Sequence, residues 1–75
     1  MKDKVISIVS KAAKLDPAVL SQNSSEQLWD SFTHLEIVFL LEETFNVRLD
    51  TDDIAYMRSI DAMIEVLTRI LGSKE

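Results

Sequence analysis

The segment WDSFTHLEIVFLLEETF, residues 29–45, carries the clearest structural signal in this 75-residue chain. It contains no glycine and no proline, and its apolar residues recur at the three- and four-residue spacing of a helix. Asp30 stands where that helix would begin, because its carboxylate can accept hydrogen bonds from the free backbone N–H groups of a first turn. We therefore predict a helix from Ser31 to Phe45, with Ser31 exposed in the first turn beside a loop.

The predicted helix has two distinct faces, because successive residues are about 100° apart. The face expected in the core holds His34, Val38, Leu41 and Phe45, with Ile37 at its edge. A second arc, about 60° wide, interleaves rings with carboxylates: Phe32, Glu36, Phe39 and Glu43. If exposed, this arc predicts a docking surface in which charges steer a basic partner and rings supply buried contact. The alternative is that Phe32 and Phe39 are half-buried against neighbouring helices.

A first helix is predicted for residues 3–15, with Asp3 as its cap and its lysines on the solvent face. Asp16-Pro17 ends it, because a residue before proline is pushed out of the helical region. Residues 16–30 are then a polar connecting loop. Its apolar side chains that we expect to turn inward are Val19, Leu20 and Leu28. We expect Trp29 to pack this loop onto the helix that follows; a direct role in docking is the alternative.

Two further helices are predicted after the exit loop of residues 46–50, in which Val47 and Leu49 face inward. A short one starts at Asp50 or Thr51, and a longer one runs from a Ser59 cap to Gly72. The residues of the short helix expected to cover the core are Ile54, Tyr56 and Met57. The fold class is therefore all-α, with three longer helices and one short helix III in a single domain of residues 1–75.

The Asp30-Ser31 pair stands at an exposed helix start, which suits a serine that another enzyme must reach and modify. With Phe32 and the helix end Leu41-Glu42-Glu43-Thr44-Phe45, it resembles the acyl carrier protein family. That family has Asp-Ser-Leu followed by a helix ending in Leu-Glu-Glu-x-Phe at the same spacing. The resemblance covers most of the chain well and the first helix only loosely. It implies a small four-helix, acyl-carrier-protein-like bundle forming one acyl or peptidyl carrier domain.

The resemblance also implies a function. A 4'-phosphopantetheine arm would be attached to Ser31, with Asp30 as the acid of the motif, and would carry acyl or aminoacyl groups as thioesters. The chain has no cysteine, so any thiol that it uses must come from outside. Such a protein is a carrier that delivers its cargo to partner enzymes, and is not itself an enzyme.

Partners and contact positions follow from the same resemblance. The expected partners are a phosphopantetheinyl transferase and acyl-activating, acyltransferase or synthase enzymes with basic docking patches. The implied docking positions are Phe32, Leu35, Glu36, Phe39, Glu42 and Glu43. The implied candidates for sheltering a short acyl chain are Val38, Leu41, Ile54, Tyr56, Met57 and Ile60.

Composition narrows the function classes further. Residues 1–15 carry a net charge of +3 and residues 16–75 carry −8, which gives −5 for the chain. The acidic body argues against nucleic acid and predicts partners with basic surfaces. We find no apolar run long enough to span a membrane and no signal-peptide block, so we expect a cytoplasmic monomer.

Two other chemistries fit the sequence poorly. Ser31 and His34 lie one helical turn apart, but no glycine-lined oxyanion site or strand-turn-helix elbow accompanies them. The acids after Asp50 are not a calcium loop, because Ala55 occupies the glycine position and Asp61 the position of the final Glu. We therefore predict neither catalysis nor a metal site. A helical interaction module that is never modified remains an alternative.

The kind of carrier is a separate question. Fatty-acid-synthesis carriers usually have an acid after Asp-Ser-Leu, where this chain has Thr33, and a glycine before the motif, where it has Trp29. The motif leucine is Phe32. The run Trp-Asp-Ser-x-x-His-Leu is similar to that of discrete carriers from specialised bacterial gene clusters. We favour a specialised pathway and keep housekeeping fatty acid synthesis as the alternative.

Overall fold

The computed structural model describes residues 1–72, and all the regular secondary structure in that range is α-helical. This confirms the predicted all-α class; residues 73–75 of the predicted domain lie outside the described residues. The helices are α1 (Lys2–Ala13), α2 (Pro17–Gln22), α3 (Ser31–Phe45), α4 (Thr51–Tyr56) and α5 (Ile60–Leu71). Helix α1 contacts α2, α3 and α5, so the three long helices enclose the core together.

The predicted count of four helices is wrong for the described residues, because residues 17–22 of the expected loop form α2. Asp16 caps it, accepting a hydrogen bond from the Ala18 backbone N–H at 2.8 Å. Pro17 occupies its first position, where the missing N–H costs nothing and the fixed φ suits a helix. Asp16-Pro17 therefore starts a helix and does not end one.

The bounds of α1 also differ from the predicted residues 3–15. The helix begins at Lys2 with Met1 as its cap residue, so Asp3 lies in the first turn and is not the cap. It ends at Ala13 because Lys14 adopts the left-handed conformation, with φ of 59°, and its N–H returns to the Ser10 carbonyl. The turn is thus made by Lys14, before the proline has any influence.

The core contains most of the side chains that the helical spacing assigns to it. Residues that are at most 1% exposed are Val5, Val9, Leu20, Ile37, Leu41, Met57, Ile60, Met63, Val66 and Leu67. Val19 was expected inward but is 39% exposed. It precedes Leu20 on α2, and adjacent helical residues point about 100° apart, so burying Leu20 turns Val19 outward.

The starts of α4 and α5 follow the predicted caps. The Asp50 carboxylate accepts from the Asp53 N–H at 2.8 Å, and the Ser59 hydroxyl accepts from the Ala62 N–H at 3.0 Å. Gly72, with φ of 83°, follows the last residue of α5, as predicted. The short link between α4 and α5, residues 57–59, is held by the Ser59 cap at its α5 end and by the Met57 N–H, which donates to the Asp53 carbonyl, at its α4 end. This link borders the site described next.

Candidate functional site

The first turn of α3 presents Ser31 to solvent. Asp30 accepts a hydrogen bond from the Thr33 backbone N–H at 2.8 Å, which confirms it as the N-cap. This backbone hydrogen bond lowers the pKa of the Asp30 carboxyl below its usual value, so the carboxylate is ionised at neutral pH. Ser31 is the first helical residue and is exposed. Ser31 is therefore accessible from solvent directly beside a negative charge.

The segment before Ser31 is held by a buried hydrogen-bonded chain. The Trp29 indole N–H donates to Nδ1 of His34 at 3.0 Å, and the two rings are stacked, with 12° between their planes. Because Nδ1 accepts, the neutral imidazole carries its hydrogen on Nε2, which donates to the Ile54 carbonyl 3.1 Å away. These two hydrogen bonds connect the loop to α3 and α3 to α4. They confirm the expected packing of Trp29 on α3 and of His34 in the core.

Other bonds fix the rest of this loop. The Gln27 side-chain amide donates to the Trp29 carbonyl at 2.8 Å. The Asp61 backbone N–H donates to the Ser24 carbonyl at 3.0 Å, which ties the loop to α5. The residues before the helix start are thus anchored to two different helices.

A shallow groove lies beside Ser31. Its lining residues are Gln27, Ser31, His34, Leu35 and Arg58. Leu35 is 54% exposed and lies one turn along α3 from Ser31. Arg58, from the link between α4 and α5, is missing from the sequence-based site. Nothing local in the sequence relates it to Ser31, because the fold alone brings these distant positions together.

The predicted docking arc on α3 is exposed. Phe32 and Phe39 are 71% and 69% exposed, so the alternative that they are half-buried is wrong. Glu36 and Glu43 are exposed as well. We call these four residues and Leu35 the α3 strip. Large rings held this far out of the core are available for contact with a partner.

Glu42 stands apart from the other predicted docking residues. It is half-buried, and its Oε2 accepts from the Leu49 backbone N–H at 2.8 Å. Leu49 itself is buried, so this bond seats the loop after α3 on the core. The Glu42 carboxylate is therefore already engaged by its own chain.

The α3 strip forms one wall of a larger open groove against the end of α1. From the α1 side the lining residues are Lys11, Ala12, Ala13 and Lys14. From the α3 side they are Phe32, Thr33, Glu36, Phe39 and Leu40. The groove thus has an apolar floor with cations on one side and a carboxylate on the other. The sequence places these lysines on a solvent face but gives no sign that the face borders α3.

The six candidates for an acyl pocket occupy three different environments. Val38, Leu41, Met57 and Ile60 are buried in the packed core, and Ile54 is half-buried. Space for a chain among them requires these side chains to move. Tyr56 does not cover the core as expected. It is 55% exposed and donates its hydroxyl to Glu65 Oε1 at 2.8 Å, a bond that raises the pKa of the Tyr56 phenol.

Comparison of this chain with protein-family models, with curated proteins and with solved structures gives no match. Among the helices of residues 1–72, none has the length and apolar character needed to cross a bilayer.

Proposed function

We propose that this protein is a carrier whose Ser31 receives a 4'-phosphopantetheine arm. The observation that supports this most strongly is the placement of Ser31. It is an exposed hydroxyl at the first position of a 15-residue helix, directly after the ionised cap Asp30. The loop before it is held by the Trp29–His34 bond, so the serine is presented in one geometry.

The residues around Ser31 fit such an arm. The hydroxyl faces solvent, and the groove beside it offers the apolar Leu35 and the cationic Arg58. When bound, the arm supplies the thiol that the chain lacks, and acyl or aminoacyl groups travel on it as thioesters. In the attachment step, Ser31 Oγ forms a bond to the phosphorus of the phosphopantetheine half of coenzyme A. The pyrophosphate P–O bond breaks, adenosine 3',5'-bisphosphate leaves, and the Ser31 proton passes to a base of the transferase.

The α3 strip is the surface that we assign to the partner enzymes. The strip lies on the same helix as Ser31, so an enzyme docked on it is close to the arm. Glu36 and Glu43 steer basic patches, while Phe32 and Phe39 supply apolar contact. The engaged carboxylate of Glu42 makes it the weakest of the six docking candidates. Phe32, Thr33 and Trp29 favour a specialised biosynthetic pathway over fatty acid synthesis.

An unmodified interaction module is the second candidate function, and the exposure of Phe32 and Phe39 is the observation that favours it. Such a module would use the same strip and the same charges. It would have no use for an exposed serine after a capping aspartate. Modification of Ser31 therefore separates the two functions.

The test is the intact mass of the protein after co-expression with a broad-specificity phosphopantetheinyl transferase. We expect the wild type to gain the mass of one phosphopantetheine and the Ser31→Ala variant to gain none. The variant keeps the Asp30 cap, so its circular dichroism spectrum and melting temperature remain those of the wild type. A wild-type protein that stays unmodified beside a modified control carrier contradicts the proposal and favours the interaction module.

A further inference from the structure

We propose that Arg58 binds the phosphate of the Ser31-linked arm and so fixes the direction in which the arm leaves α3. This inference rests on the proposed function, since it concerns the group attached to Ser31. It assigns a positioning residue that the sequence does not reveal. The observation behind it is that Arg58 and Ser31 line the same groove.

The backbone of Arg58 is held in place on both sides. Met57, which precedes it, is fully buried, and Ser59, which follows it, caps α5. Its own N–H donates to the Tyr56 carbonyl at 2.8 Å. The guanidinium is therefore carried by a fixed link and needs only side-chain rotation to reach a ligand in the groove. Because this backbone is already ordered, binding a ligand here costs less conformational entropy than binding it with a mobile loop.

Its position, together with its lack of an ion pair, distinguishes Arg58 from the other two arginines of residues 16–72. Residues 16–72 contain three basic side chains among eleven acidic ones. Arg69 pairs with Asp53, and Arg48 lines a different depression together with Glu42 and Glu43. Within residues 1–72, Arg48 and Arg58 make no ion pair, and of the two it is Arg58 that lines the groove beside Ser31. A cation without a carboxylate partner, in the most acidic part of the chain, lies where the modification would add an anion.

The polar side chains of His34 and Gln27, which also line the groove, already make hydrogen bonds within the protein. Both His34 nitrogens have partners, in Trp29 and Ile54. The Gln27 amide donates to the Trp29 carbonyl. Arg58 is the arginine among the lining residues, and its guanidinium is the charged donor of the groove. A serine-linked phosphodiester carries one negative charge on two equivalent oxygens, and a guanidinium can donate to both at once.

The groove also suggests the course of the arm. Leu35 offers an exposed apolar side chain one turn from Ser31 and lines the same groove as Arg58. It suits the dimethyl group that follows the phosphate in pantetheine. An arm held there leaves Phe39 and the α1–α3 groove open. Partner enzymes can then dock on the other four residues of the α3 strip, Phe32, Glu36, Phe39 and Glu43.

The test compares apo and holo protein by NMR, in the wild type, in Arg58→Gln and in the matched control Arg48→Gln. We expect the Arg58 Nε–H resonance to shift between apo and holo wild type. We also expect the ³¹P resonance of the holo protein to shift in Arg58→Gln and to remain unchanged in Arg48→Gln. High salt moves the wild-type ³¹P resonance toward that of Arg58→Gln, because the ion pair is exposed and screened.

The experiment distinguishes failure of the carrier function from failure of the role assigned to Arg58. If Ser31 gains no mass, the carrier function and the role of Arg58 are both wrong. If Ser31 is modified but the ³¹P resonance is the same in all three proteins and the Arg58 Nε–H does not move, the carrier function stands and the role of Arg58 is wrong.

Discussion

Trp29 and His34 show how single residues set the geometry of the proposed modification site. Trp29 replaces the glycine that the resemblance leads one to expect before the motif. Its indole N–H satisfies Nδ1 of His34, and His34 in turn satisfies the carbonyl of Ile54. Each polar atom in this series of hydrogen bonds from Trp29 through His34 to Ile54 thus has a partner, which is the usual condition for keeping such groups in a core. Removing one donor leaves an acceptor buried without a hydrogen bond.

Trp29→Phe tests this hydrogen bond. The change keeps an aromatic ring but leaves Nδ1 of His34 unpaired, so the free energy of unfolding falls by about 1–3 kcal/mol. Urea denaturation followed by far-ultraviolet circular dichroism measures the loss. Phe39→Leu is the control, because Phe39 is 69% exposed and its truncation leaves the unfolding free energy nearly unchanged. Equal stability of Trp29→Phe and wild type would show that the bond contributes nothing.

Asp30 provides a pH-dependent contribution at the same site. Its pKa in the folded chain is below the ordinary value of 3.8, because the ionised carboxylate accepts the Thr33 backbone N–H. A carboxyl with a lowered folded pKa contributes stability above the unfolded pKa, and that contribution is lost as pH falls through the folded pKa. Asparagine caps helices about as well but does not titrate. Urea midpoints measured from neutral pH to below 3.8 therefore fall more steeply for the wild type than for Asp30→Asn. If the urea midpoints of the two proteins change with pH in the same way, the ionised Asp30 carboxylate makes no such contribution to stability.

At the scale of secondary-structure elements, α3 supplies one face to the core and exposes another to solvent. Its inner face, with Ile37 and Leu41 fully buried, joins the core, and its outer strip, which we propose contacts partner enzymes, is exposed. The spacing of the apolar residues in the sequence predicts both faces, because a regular helix without breakers fixes the direction of every side chain. The sequence could not assign Glu42, since its bond to Leu49 depends on the path of the following loop.

Charge reversal on the strip tests its role in docking. Glu36→Lys and Glu43→Lys slow modification of Ser31 by the transferase, mainly through the association rate, because they repel a basic patch. The effect shrinks as salt rises. Asp3→Lys is the matched control: it is an exposed residue near the start of α1 and changes the net charge equally. If Ser31 is modified at low salt as fast in Glu36→Lys and Glu43→Lys as in Asp3→Lys, the acidic residues of the strip serve solubility and not docking.

Phe32→Leu tests whether the ring beside Ser31 selects partners. Phe32 is 71% exposed, so the unfolding free energy changes by no more than about 0.5 kcal/mol. The smaller side chain weakens recognition by the cognate loading enzyme and improves recognition by enzymes of housekeeping fatty acid synthesis. Loading assays with both enzyme sets measure the change. The buried swap Ile37→Val, which costs about 1 kcal/mol, shows that the stability assay can detect a core defect. Unchanged partner preference counts against a specialised pathway.

At the scale of the whole molecule, the fold was predictable where local signals agree. The caps at Asp30, Asp50 and Ser59 and the breaker Gly72 locate three of the helices correctly. Helix α2 was missed because its polar residues resemble a loop, and only Asp16-Pro17 marks its start. Local spacing places Leu20 and Tyr56 alike as inward, but α2 buries one and the short α4 exposes the other.

The sequence could not predict which residues that are distant along the chain lie close together in the fold. Arg58 reaches the groove of Ser31, and Lys11 and Lys14 reach the edge of the α3 strip, through the packing of α1, α3 and the α4–α5 link. The lysines belong to the basic first fifteen residues and Glu36 to the acidic remainder. The fold places these opposite charges on the two sides of one groove. A partner that fills it therefore meets charges of both signs.

The most direct measurement is fragmentation mass spectrometry of the protein purified after co-expression with a phosphopantetheinyl transferase. The chain has eight serines, and only Ser31 follows the capping Asp30 at the start of a long helix. We expect one phosphopantetheine per chain, with every modified fragment containing Ser31. An adduct on any other residue, or a chain that remains unmodified under conditions that modify a control carrier, would contradict the carrier function.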